Sequence, residues 1–241
     1  MDIVFMLLAR IPGSQNKTLT SKVIVALRRW TKVAESDPVW FFPAGSEDKT
    51  INKSKQEEDQ MSQYAIHTLE TAPAASKPAL EKLRASVGLI PNLAAAMSES
   101  PQLIEGFVTL RGLFQDGSSF SPAEREIIAL ANAVENGCRY CTAIHSTFAL
   151  HSGVAQETVE TIRSGKSPTE PHLKALVDYA RTMLRKRGQI AEKELQAFLS
   201  AGFTTAQSLE IIAALALSVM ANYSGHLTEV PPDEAIKPQY R

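Results

Sequence analysis

Residues 121–145 read SPAEREIIALANAVENGCRYCTAIH, and the fold turns on how this stretch is parsed. Ser121 and Pro122 have the chemistry of a helix cap and a first-turn residue, and Glu124, three after Ser121, completes a capping-box pattern. The helix they open runs through Ala133 and stops at Asn136-Gly137. A second helix starts around Cys138 and runs to about His151, with Gly153 as its stop. If Asn136-Gly137 closes a tight antiparallel hairpin, Glu126 lies ten residues before the turn and His145 eight after it. At a rise of about 1.5 Å per residue those depths are about 15 and 12 Å, so the two side chains can sit side by side.

Cys138 and Cys141 are the only cysteines in 241 residues, too few to staple a chain of this size, so the pair reads as redox-active or metal-binding. Offsets of three and seven place Cys138, Cys141 and His145 on one helix face. The cysteines also fall in the first helical turn, where unpaired N–H groups and the positive end of the dipole stabilise a thiolate. His145, one turn after Cys141, can take a proton or hand one to a leaving group, and Glu126 can orient its ring.

Outward from this hairpin the same grammar of Pro, Ser and Gly punctuation continues. Helices are expected at Lys77 to Ser86, Pro101 to Phe114, Gln156 to Ser164, His172 to Arg187, Glu192 to Ser200 and Thr205 to about Tyr223. No alternating strand pattern occurs in residues 61–241, so the fold class is all-α. The apolar run Ile211 to Ala221 is far below the roughly 20 residues needed to span a bilayer and reads as a core helix, buried at the centre of a subunit or of an assembly. Glu126-Ile-Ile-Ala recurs as Glu210-Ile-Ile-Ala, a faint internal echo in which only the first copy is followed by cysteines.

Residues 45–60, GSEDKTINKSKQEEDQ, are nearly devoid of apolar side chains and read as a charged linker. Residues 1–60, which contain Trp30, Trp40 and one helix-like stretch around Leu19 to Val33, are expected to be a poorly ordered extension, with the domain proper at 61–241. The opening apolar run lacks the basic start of a secretory signal. The Asn-X-Ser/Thr triplets at Asn16, Asn52 and Asn222 read as chance. A formal net charge of -1 and a pI near 6.5 exclude a basic nucleic-acid footprint. With 44% hydrophobic and 21% charged residues the composition is that of an ordinary globular chain, with no membrane association expected.

Glu126, Cys138-X-X-Cys141 and His145 together resemble the signature of the alkylhydroperoxidase AhpD-like, peroxidase-related branch of the carboxymuconolactone decarboxylase superfamily. The resemblance extends to Gly88-Leu-Ile-Pro91-Asn92-Leu, Pro101, Ser121-Pro-Ala-Glu-Arg-Glu126 and Asn222-Tyr-Ser-Gly-His226, over about residues 77–235. It implies an all-helical, AhpD-like domain that assembles into trimers or hexamers and reduces peroxides with a dithiol, without a cofactor or a metal. It further implies that Cys141 is the peroxidatic thiol, Cys138 the resolving thiol exposed to a dithiol or protein reductant, and Glu126 with His145 the proton relay. Antioxidant defence in the cytoplasm would follow. Some members have a histidine directly before the second cysteine, where this chain has Tyr140.

Other readings of the same residues are an inert buried pair, a zinc site with Glu126 or His226 as the fourth ligand, and a non-enzymatic redox sensor. A carboxymuconolactone decarboxylase-like lyase on the same fold would use acid and base groups and need no dithiol. His67 and His151 read as a surface and a helix-end histidine. Tyr140 reads as a packing or channel residue.

Overall fold

Asn136-Gly137 does reverse the chain, and it does so by a specific device. In the computed structural model, which describes residues 63–240, Gly137 takes the left-handed conformation at φ 71° that side chains with a Cβ disfavour. The Cys138 N–H then bonds back to Ala133 O at 2.9 Å and the Gly137 N–H to Val134 O at 3.1 Å, the paired bonds of a Schellman closure. Gly153 ends the next helix in the same way at φ 85°, with Val154 N–H on Ala149 O at 3.0 Å.

Nine α-helices follow one another among the described residues, with no β-strand. They are α1 (Lys77–Val87), α2 (Asn92–Met97), α3 (Pro101–Gly117), α4 (Pro122–Glu135), α5 (Arg139–His151), α6 (Gln156–Arg163), α7 (Pro171–Arg185), α8 (Glu192–Ser200) and α9 (Thr205–Thr228). Short 3-10 turns at Ala74–Ser76 and Glu234–Gln239 flank them. The capping box expected at α4 is present: Glu124 accepts from the Ser121 N–H at 2.8 Å while Ser121 Oγ accepts from the Glu124 N–H. The expectations for residues 1–60 lie outside the described residues.

Two elements escaped the reading of periodicity. α2 is one and a half turns of Asn-Leu-Ala-Ala-Ala-Met, too short to display a repeat, and every residue after Asn92 in it is buried. The C-terminal 3-10 turn is held by Ile236, which is buried in the same core. α7 stops two residues earlier than expected because Arg187 adopts φ 53° and closes the helix.

The core divides in two. One cluster joins α1, α2 and α3 to the start of α5 through Leu80, Leu83, Leu93, Met97, Ile104 and Val108, and both cysteines belong to it. The other joins α4 to α7, α8 and the start of α9 through Ile127, Ile128, Leu130, Leu176, Phe198 and Ile211. α9 packs on α2, α3, α4 and α5 and so ties the two halves together over the hairpin.

α9 corrects one expectation. Its 24 residues are long and apolar enough to cross a bilayer by length and composition, and among the described residues only one face is covered. Leu209, Ile212, Tyr223 and Leu227 are more than half exposed. The helix is therefore not buried all round, because its Ala-rich sequence is apolar on both faces while α2 to α5 cover only one. The echo motif has also diverged in role: Glu210 accepts hydrogen bonds from Ser118 Oγ and Ser119 Oγ, each at 2.7 Å, and caps the end of α3.

In the second core cluster, Tyr179, Phe198, Phe203 and His172 form a continuous ring stack with centroid spacings of 4.2, 4.4 and 4.1 Å. His172 Nδ1 lies 2.8 Å from Ala201 O and Nε2 lies 2.9 Å from Glu124 Oε1. Both partners are acceptors, so the arrangement is fully satisfied only by the doubly protonated ring. Burial works against that charge, but the Ala201 carbonyl and the Glu124 carboxylate outweigh it and hold the His172 pKa above its ordinary value. A raised folded-state pKa contributes stability that is fully present below the unfolded value and is lost as pH rises through the folded one. The side chain is 40% exposed, so solvent screening limits the effect. His172→Phe, which keeps the stack, is expected to lower the unfolding free energy by about 1 kcal/mol at pH 5.5 and by less at pH 8.5, read by urea denaturation at both values.

Candidate active site

Cys138 is the N-cap of α5 with extended backbone, and its Sγ accepts the Cys141 N–H at 3.3 Å. A hydrogen bond from the Cys141 thiol lowers the Cys138 pKa most, burial opposes it, and the Cys141 and Tyr140 N–H groups add to the lowering. The Cys141 thiol goes the other way. Donating to Cys138, being buried and facing the Cys138 charge push its pKa well up, while a hydrogen bond from Asn222 pulls it down. When the reduced pair loses its first proton, the charge therefore falls on Cys138 and the remaining proton stays on Cys141.

Glu126 on α4 and His145 on α5 meet as the hairpin depths require, with Glu126 Oε2 2.8 Å from His145 Nδ1. A carboxylate accepts, so Nδ1 carries the hydrogen and the neutral ring presents Nε2 as an acceptor. Phe148 packs edge-on against the ring at 6.5 Å. His145 and Cys141 line one cleft of about 80 Å³ with Leu83, Leu93, Met97, Phe107 and Phe148. On the other side of His145, Glu126 and Phe114 line a second cleft of about 100 Å³.

Cys138 corrects an implication of the resemblance. Both cysteines are 1% exposed, so Cys138 does not stand open to a reductant. The reason is α9: a Cβ on Gly225 would lie 3.0 Å from Cys138 Sγ, so the helix backbone passes directly over the sulfur. Access to it requires movement of α9 or entry through the Cys141 cleft.

Tyr140 lines the cleft but is not free to relay protons. Its hydroxyl donates to Asp233 Oδ2, and Asp233 Oδ1 accepts the Asn92 N–H at 3.0 Å. Burial and the Asp233 carboxylate push the phenol pKa far above its ordinary value. Tyr140 thus ties the C-terminal segment to the start of α2. His226, a candidate fourth metal ligand in the sequence, is exposed on α9. Among the described residues no group of three or more His, Cys, Asp or Glu side chains is placed to hold a metal ion. His67 is not a surface histidine either: its side chain is 13% exposed and its Nε2 lies 2.6 Å from Glu99.

Sequence reasoning missed three participants. Asn222, read only within a chance glycosylation triplet, is 1% exposed and reaches both Cys141 and, as acceptor at 2.8 Å, Asn136 at the hairpin turn. Arg111 of α3 lines both clefts. Gly225 makes room for Cys138. Asn222 and Gly225 lie within the Asn222-Tyr-Ser-Gly-His226 stretch that carries the family resemblance, which was the available signal; Arg111 had none.

Solved structures with this arrangement of helices are known. A peroxidase-related protein with an alkylhydroperoxidase AhpD core from Ralstonia eutropha JMP134 superposes with a TM-score of 0.65 at 20% identity, over 73% of this chain and 94% of that one. A peroxidase-related protein from Silicibacter sp. TM1040 does so with a TM-score of 0.63 at 21% identity, over 78% of this chain and all of that one. The debrominase Bmp8, in complex with 2,3,4-tribromopyrrole, gives 0.59 at 15% identity, over 73% and 97% of the two chains. At such identities the likeness is one of fold, and the fold is AhpD-like. No curated protein matches the sequence. Residues 101–180, from α3 into α7, match the model of the carboxymuconolactone decarboxylase family, and that span includes Glu126, Cys138, Cys141 and His145. That match covers a third of the chain and lies wholly within the helical domain.

The charge assignment is directly measurable. In the reduced protein the thiolate absorbance at 240 nm is expected to rise in two well-separated steps, the first below the pH of about 8.5 typical of a free cysteine. Cys138→Ser removes the first step, and Cys141→Ala moves it to higher pH by deleting the largest cause of the lowered value.

Proposed function

We propose that this protein is a thiol-dependent peroxidase of the AhpD type, acting through Cys138, Cys141, His145 and Glu126. The observation that carries this reading is the division of labour within the pair: Cys141 shares an apolar cleft with His145, while Cys138, behind it at the N-cap of α5, is the thiol whose ionisation its surroundings favour. An inert structural pair would need neither the imidazole nor the charge.

In this mechanism Cys141 attacks the terminal oxygen of a hydroperoxide ROOH while its proton passes to His145 Nε2. The O–O bond breaks, sulfur takes the terminal oxygen, and His145 returns the proton to the departing RO⁻. Cys141 becomes a sulfenic acid and ROH leaves. Glu126 holds the ring oriented through Nδ1 and stabilises the transient imidazolium, as a carboxylate does behind a histidine base. The Cys138 thiolate then attacks the Cys141 sulfur, an S–S bond forms, and hydroxide leaves as water after protonation. Two thiols and one peroxide give a disulfide, an alcohol and water. An external dithiol or protein reductant reopens the disulfide by thiol exchange, which a reducing compartment such as the cytoplasm supplies. A lyase reading of the same superfamily would dispense with both cysteines.

The working form in this reading is a homo-oligomer, a trimer or hexamer, built by the domain at 61–241. Supporting it is the exposed face of α9, where Leu209, Ile212, Ala216, Val219 and Tyr223 follow at alternating steps of three and four, the spacing of a helix seam. Ile212→Glu with Leu209→Glu is expected to reduce the mass found by light scattering to that of a single chain while leaving the helix content unchanged.

The mechanism predicts that one equivalent of cumene hydroperoxide consumes two thiols of the reduced protein within seconds. His145→Ala should slow the loss by about 100-fold or more, the contribution expected of a general base. Cys138→Ser should stop at a sulfenic acid on Cys141, seen as one added oxygen by mass spectrometry. Thiols that persist for minutes in the wild type, or peroxide turnover that survives replacement of both cysteines by serine, would overturn the mechanism.

A further inference from the structure

Arg111 is a cation in an apolar place. It lies half-buried on α3 and lines both clefts around His145, among Phe107, Phe114, Phe148 and Ala221. Nη1 donates to Ser86 Oγ at 3.1 Å, the hydrogen bond that the guanidinium makes among the described residues. No carboxylate of the described residues comes within the 4.0 Å of an ion pair with it. Glu126 is close enough to favour its charge, as is Asp116, but Glu126 is committed to His145 Nδ1 and burial still leaves the Arg111 pKa lowered.

A guanidinium withdrawn from water carries a desolvation cost that a carboxylate partner offsets, and its planar fork fits a carboxylate with two parallel hydrogen bonds. Apart from Arg111, His145 and the Cys141 thiol, the walls of the cleft offer a carboxylate no free donor. They include Leu83, Val87, Leu93, Met97 and Ile144, the His145 ring is held through Nδ1 by Glu126, and the Tyr140 hydroxyl is already donated to Asp233. The cleft thus pairs one permanently cationic side chain with an apolar wall and the reactive sulfur. Hydrogen peroxide would use neither the wall nor the cation.

We propose that the cleft takes an apolar organic acid, its carboxylate on Arg111 and its hydrocarbon against Leu93, Met97 and Phe107. Resting on the peroxidase reading above, the substrate class is a hydroperoxide that carries a carboxylate, held with its O–O bond at Cys141. Arg111 is then the residue that selects acids over neutral peroxides.

The test separates binding from chemistry. Octanoate, which has no O–O bond, is titrated by calorimetry into the reduced full-length protein alongside methyl octanoate. Wild type is expected to bind the acid at least about tenfold more tightly than the ester, as one charge-assisted hydrogen bond provides. Arg111→Met should bring the acid down to the level of the ester, and Arg111→Lys should restore part of the preference while circular dichroism confirms the fold of each. Equal affinities in the wild type, no octanoate binding, or a preference that survives Arg111→Met would each overturn the proposal. A parallel measurement follows thiol loss with a fatty-acid hydroperoxide and with its methyl ester. If octanoate binds through Arg111 but no peroxide consumes the thiols, the acid site stands and the peroxidase reading falls. If both peroxides consume the thiols at one rate, the peroxidase reading stands and the acid selection falls.

Discussion

Cys138 closes one helix and opens the next. Its N–H supplies the 2.9 Å bond to Ala133 that ends α4, and its sulfur receives the 3.3 Å bond from the Cys141 N–H that begins α5. One residue satisfies orphan groups at two helix ends, so the turn has no slack. With no slack, the register of α4 against α5 is set, and that register brings Glu126 to within 2.8 Å of His145. The same cap places a sulfur where backbone N–H groups converge, the condition under which a thiol ionises readily. Fold closure and thiol activation share one set of hydrogen bonds.

The buried pair of sulfurs that results is closed off by what covers it. α9 supplies that cover with two small departures from an ordinary apolar helix: Gly225, which lets the backbone approach Cys138 Sγ, and Asn222, which links Cys141 to the hairpin turn at Asn136. Tyr140 and Asp233 fasten the C-terminal segment over the start of α2, and Tyr140 forms part of the wall of the cleft. The helix that covers the pair is also the one whose outer face is most apolar, with Leu209 67% and Leu227 65% exposed. Any contact made on that face bears on the backbone above Cys138.

Local signals in the sequence led to much of this. The caps at Ser121, the stops at Gly137 and Gly153 and the three-residue step between the cysteines are short-range devices, and they assigned the hairpin and the common face of Cys138, Cys141 and His145. The pairing of Glu126 with His145 was legible too, because hairpin depth is arithmetic once the turn is located. α2 was not legible, since six residues cannot show a 3.6-residue period, and the exposure of α9 was not, since a helix apolar on both faces has the same sequence whether one face or both are covered.

The longer helices and the antiparallel hairpin follow from the sequence by itself, because each depends on bonds between residues a few positions apart. Which cysteine ionises more readily was decided only by tertiary structure. It rests on the direction of one shared proton, on Asn222 reaching Cys141 from α9, and on the backbone of Gly225 shielding Cys138. Arg111 beside His145 and the locking of Tyr140 by Asp233 are likewise long-range, joining residues more than thirty and ninety positions apart. Neither periodicity nor spacing encodes such distances; they arise from packing two core clusters against one helix.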